Sequence, residues 1–163
     1  MFRADAADAF ERLKAQCAAL GLEGLAPTDT EVDTTAGDDG DALAQRIYEG
    51  NIRLIQQADG VAANLEAFRG LEPDSGTVFE VGYAVALGKP VVIYNVPDTT
   101  YQARVAAAMP CLEGADGVVR EKASGLMVEG LGQRLNLMLT RSSVLEPTAQ
   151  DALRKLAQLL RAS

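Results

Sequence analysis

The chain has 163 residues, 48% of them apolar, which suits a single domain over residues 1–163 with one core. Its net charge is −8 and its Lys and Arg are not clustered, which argues against binding a nucleic-acid polymer, whose affinity rests on cations that neutralise phosphates. It contains no His, so His-based triads, His general bases and the usual zinc sites are excluded, no metal or cofactor is expected, and chemistry falls to carboxylates, amides, hydroxyls and Tyr.

Residues 4–20 read as a helix, with Phe10, Leu13, Cys17 and Leu20 on one face and Gly21 as a stop. No leader precedes that pattern and no run approaches the roughly 20 apolar residues of a membrane span, so a cytoplasmic, membrane-free protein is expected, with Cys17 and Cys111 as thiols. Leu22–Ala26 reads as a short strand ending at Pro27, and the polar, acidic stretch Thr28–Asp41 as a loop and candidate lid. A second helix is predicted over 41–57, with Leu43, Ile47 and Leu54 as its buried stripe and Asn51 within it. A strand at 60–65, a helix at 76–88 and a strand at 90–96 follow, then a helix at 102–109, a short strand at 117–120, a helix at 126–139 and a last helix at 147–161. Alternating strands and helices imply a parallel sheet, although the chain opens on a helix where such a domain normally opens on a strand.

The segment Asp74-Ser75-Gly76-Thr77-Val78-Phe79-Glu80-Val81-Gly82 carries the chemistry. A Gly-bearing turn enters an apolar helix after a strand, which is where open α/β sheets keep their ligands. Glu80 is expected in the first turn of that helix, either as a complement to the macrodipole or as an ionised nucleophile. Asp74 reads as an N-cap or as a proton donor. Gly76 meets a turn requirement or lets backbone approach a ligand. Asn51 bonds a neighbouring loop or contacts the ligand, and Phe68-Arg69-Gly70 offers a ring and a guanidinium on the crevice loop. Two carboxylates at one crevice suggest work at a glycosidic carbon. No dinucleotide or ATP fingerprint is present.

Together, Ala58-Asp59-Gly60-Val61, Phe68-Arg69-Gly70-Leu71-Glu72-Pro73-Asp74-Ser75-Gly76-Thr77 and Phe79-Glu80-Val81-Gly82-Tyr83-Ala84 resemble the nucleoside 2-deoxyribosyltransferase family, as do Gly50-Asn51-Ile52 and Leu135-Asn136-Leu137-Met138. The resemblance covers about residues 2–140. It implies an α/β fold, a flavodoxin-like, doubly wound parallel sheet in three α/β/α layers. It places a first strand, often with a Tyr that orients the nucleophile, ahead of Met1-Phe2, so that strand is expected to be absent from this chain. It implies Glu80 as nucleophile, Asp74 as the acid or base-contacting carboxylate, and Asn136 as a contact to the sugar 5′-hydroxyl in a neighbouring subunit's site, hence a homo-oligomer with shared sites. Some members have Asp where this chain has Asn51.

The activity so implied moves 2-deoxyribose between nucleobases through a glycosyl-Glu80 ester, with a nucleoside and a free nucleobase as partners and Asp29, Phe68 and Arg69 near the base. The alternatives are an N-glycosidase acting on deoxynucleoside 5′-monophosphates and a non-catalytic nucleotide-binding domain.

Overall fold

The computed structural model describes residues 6–29 and 39–162. Most of the expected lid, residues 30–38, therefore lies outside the described residues, as does Met1-Phe2. Helix α1 (Ala6–Ala19) runs into Gly21 at φ +74°, the left-handed stop its sequence predicts. Leu22–Ala26 joins no strand ladder among the described residues, contrary to expectation. It lies against α1, where a Cβ on Gly24 would stand 3.2 Å from Lys14. A short 3-10 turn (Pro27–Asp29) follows, and α2 (Gly40–Gln57) opens on Asp39, whose carboxylate accepts from the Ala42 N–H.

Three parallel strands form the central sheet: β1 (Val61–Asn64), β2 (Val91–Tyr94) and β5 (Val144–Glu146), in the order β1-β2-β5. All four residues of β2 are buried, and its alternation sets the layers. Val91 and Ile93 enter one core with Ile55 of α2, Val81 and Ala84 of α3 (Ser75–Ala86), and Leu139 of α5 (Leu137–Ser142). Val92 and Tyr94 enter the other with Ala152 and Leu156 of α6 (Ala149–Ala162), which α1 backs. Gly60 permits that second layer to close, because a Cβ there would meet Leu156 Cδ1 at 2.8 Å and Pro90 at 3.1 Å.

Between β2 and α5 the chain makes α4 (Tyr101–Ala108) and an antiparallel pair, β3 (Cys111–Glu113) and β4 (Val119–Glu121). The helix expected over 126–139 exists only as α5. Residues 126–128 instead give their backbone to the hairpin, where Val128 N–H donates to Val119 O and Met127 bridges Arg120. Gly132, at φ +71°, then breaks the path. On α2 the stripe is also rotated from the expected one: Gly50 and Ile55 are buried, Leu43, Asn51 and Leu54 are half-buried, and Ile47 is 44% exposed. Both cysteines are free thiols. No helix among the described residues is long and apolar enough to cross a membrane.

Candidate active site

The loop leaving β1 ends at Asp74, the N-cap of α3. Asp74 Oδ2 accepts from Thr77 N–H at 3.0 Å and from Thr77 Oγ1 at 3.3 Å. Gly76 makes room for that carboxylate, since a Cβ on it would stand 3.0 Å from Oδ2. The D-x-G spacing therefore serves the acid itself.

Because α3 begins at Ser75, Glu80 stands in the second turn, not the first. The dipole's influence fades within the first turn, so it is not what sets the charge of Glu80. Burial pushes the Glu80 carboxyl above the ordinary range; the Asn51 hydrogen bond opposes that rise and the charge of Asp74 adds to it. Asn51 reaches across from α2, its Nδ2 donating to Glu80 Oε1 at 3.1 Å. Among the described residues no Lys or Arg pairs with Glu80, and neither Glu80 Oε2 nor Asp74 Oδ1 has a hydrogen-bond partner. Among the described residues each acid thus has one oxygen held and one free.

An aromatic ladder that sequence reasoning missed flanks this pair. Tyr48 of α2 meets Phe79 with ring centroids 6.3 Å apart, and Phe79 stacks on Tyr83 at 6.3 Å with planes 3° apart. Gln56 Nε2 donates to the Tyr83 hydroxyl at 2.8 Å, tying α2 to α3. The signal was available: Tyr48 lies three before Asn51, and Phe79 and Tyr83 lie four apart, all at helical spacing.

Other predicted residues lie elsewhere. On the far side of α3 from Glu80, a groove of about 470 Å³ runs between α3 and α5, lined by Val78, Gly82, Val85, Met138 and Asn136. Asn136 caps α5: its Oδ1 accepts from Met138 N–H at 3.0 Å and its Nδ2 donates to Glu129 at 2.9 Å. It makes no hydrogen bond to Glu80 or Asp74 of its own chain. Asp29 is held at both oxygens, by Lys14 at 2.5 Å and by Ala26 N–H at 2.8 Å. On the loop after β1, Arg69 takes φ +51° and sets its guanidinium 4.9 Å from the Phe68 ring, covering a face expected to be open to a base. Gly70 follows at φ +155°, a conformation that favours glycine. Glu72, on the same loop, holds the Tyr101 hydroxyl and pushes its pKa up to about 12.

The arrangement therefore brings Asn51, Asp74, Gly76 and Glu80 together. A half-buried carboxylate with one free oxygen, aimed by an amide and standing beside a second acid, is equipped to attack an electrophilic carbon while the neighbour handles a proton.

The chain is similar to a 2-desoxiribosyltransferase from Leishmania mexicana, with a TM-score of 0.69 and 26% identity over 96% of this chain and 91% of that one. It is 29% identical over 148 residues to a Schizosaccharomyces pombe protein described as uncharacterised, covering 85% of this chain and 70% of that protein. The profile of the family described as Nucleoside 2-deoxyribosyltransferase matches residues 1–138, a span that includes Asn51, Asp74, Glu80 and Asn136. The chain belongs to the nucleoside 2-deoxyribosyltransferase family.

Proposed function

We propose that the protein transfers 2-deoxyribose between nucleobases by double displacement at C1′ of a 2′-deoxynucleoside. Glu80 Oε2 attacks C1′, the C1′–N bond breaks, and the electron pair leaves with the base, which takes a proton that Asp74 relays from solvent. The product is a glycosyl ester on Glu80. An incoming base attacks C1′ from the vacated face, gives its proton back to solvent through Asp74 and frees the carboxylate. Two inversions retain configuration, the logic of retaining glycosidases. The observation that carries this reading is the carboxylate of Glu80 beside Asp74, held by Asn51 and paired with no cation among the described residues.

A second copy of the chain completes the site on this reading. Its proposed seat is the α3–α5 groove, where the lining residue Met138 is 71% exposed. Asn136 lies on the groove and away from its own Glu80, and on this reading the second hydrogen of its Nδ2, the first being given to Glu129, reaches the neighbouring site.

Incubation with deoxyinosine and a free base, followed by chromatography, tests the reaction. Exchange that is lost in Glu80→Ala is the expected result. Release of free sugar whether or not an acceptor base is present would make the protein an N-glycosidase instead, and ligand binding without turnover would make it a nucleotide-binding domain.

A further inference from the structure

The junction of α2 and α3 holds a side chain whose type matters more than its bulk. Asn51 is half-buried and spends one amide hydrogen on Glu80 Oε1 at 3.1 Å. Its carbonyl oxygen has no hydrogen-bond partner among the described residues. The titratable groups at this junction are few. Asp74 lies before α3, Tyr48 packs on Phe79 from α2, and Tyr83, a turn beyond Glu80, is held by Gln56. None of them donates a hydrogen bond to Glu80, so Asn51 is its one fixed donor among the described residues.

We infer that Asn51 is a positioning residue for the reaction proposed above: its amide pins Oε1 of Glu80 so that Oε2 is the oxygen presented to the anomeric carbon, and its carbonyl oxygen accepts from a sugar hydroxyl. An amide does this where a carboxylate could not. An ionised Asp at 3.1 Å would repel Glu80, and an Asp could donate to Glu80 only while protonated, whereas the amide is a neutral donor at every working pH. The inference rests on the proposed transfer, but the pinning itself can be read without turnover.

Two variants test it, Asn51→Ala and the near-isosteric Asn51→Asp, with Glu80→Gln used to assign the signal. The first readout is the titration of the Glu80 carboxyl by carbon-13 NMR of glutamate-labelled protein. The hydrogen bond favours the ionised form, so its removal raises the titration midpoint and an added like charge raises it further. The expected order is wild type, then Asn51→Ala, then Asn51→Asp. The second readout is exchange kinetics: kcat falls by roughly tenfold to a hundredfold in Asn51→Ala with KM changed by less than about threefold, and the acid limb of the pH profile moves up in the same order. Titration midpoints that coincide in all three proteins overturn the inference even if exchange is robust. An unchanged kcat in Asn51→Ala does the same. Wild-type protein that lacks exchange, yet gives the ordered midpoints, would remove the proposed reaction and leave the pinning intact.

Discussion

At the scale of single residues, the site is a small set of groups that oppose one another. Glu80 is pushed toward its neutral form by burial and by Asp74, and drawn back by Asn51. Since its folded-state pKa is raised, ionising it works against folding, and that loss develops as pH climbs from the unfolded carboxyl range through the raised value. Replacing it by a neutral isostere removes the loss. Glu80→Gln is therefore expected to abolish exchange and to melt at or above the wild-type temperature at neutral pH, the difference vanishing in acid, as calorimetry across pH would read. In the wild type, exchange should decline as pH falls through the same raised value, because only the ionised carboxylate attacks. Gly76 is the second case. A methyl group there would crowd Asp74 Oδ2 from 3.0 Å, and the carboxylate would swing off its cap at a cost of about 1 kcal/mol, which the gain in helix propensity offsets. Gly76→Ala is expected to lower kcat by about tenfold or more while Tm stays nearly level, because Ala is the better helix former by up to about 1 kcal/mol. A fall in Tm with unchanged kcat would deny Gly76 its part in placing the acid.

At the scale of elements, α3 ties the chemistry to the fold. Asp74 both caps the helix and stands beside Glu80, and the two duties separate by mutation. Asp74→Asn keeps an oxygen for the Thr77 N–H and should leave stability nearly unchanged while exchange falls by about a hundredfold, within the range for losing a general acid–base group. Asp74→Ala loses the cap as well, for about 1 kcal/mol in a denaturant titration. This helix was the most legible part of the sequence because cap, glycine and apolar run agree. The strands flanking it, Val61–Asn64 and Val91–Tyr94, were legible for the same reason. What sequence could not supply was tertiary. Leu126, Leu131 and Leu135 suggest a helix, yet Met127 and Val128 are recruited by β4, and only the pairing partner reveals it. Val144–Glu146 and Cys111–Glu113 are three-residue strands, too short to show a period. The sequence predicts Glu80 in the first turn of a helix from 76, whereas the cap at Asp74 starts the helix at Ser75 and puts Glu80 in the second turn, which changes the argument from dipole to burial. The Asn51–Glu80 bond joins residues 29 apart and was one of several options until α2 and α3 were seen side by side.

At the scale of the whole molecule, β2 organises both layers and α3 has two faces with different uses. One face meets α2 and holds Glu80; the other borders the α3–α5 groove. If a second copy occupies that groove, a charge at its most exposed apolar residue should prevent docking without touching the acids. Met138→Glu is expected to shift the protein to a smaller species by light scattering and to lower exchange strongly, while the carbon-13 titration of Glu80 keeps its wild-type midpoint. An unchanged mass with full activity would move the interface elsewhere.

The account stands on a covalent bond between Glu80 and a deoxyribosyl group. Protein incubated with a 2′-deoxynucleoside, quenched in acid and digested, should give by mass spectrometry a deoxyribosyl adduct on the peptide that contains Glu80. The adduct should disappear when a free base is added and be absent from Glu80→Ala. Base exchange without that adduct, persisting at near wild-type rate in Glu80→Ala, would contradict the account.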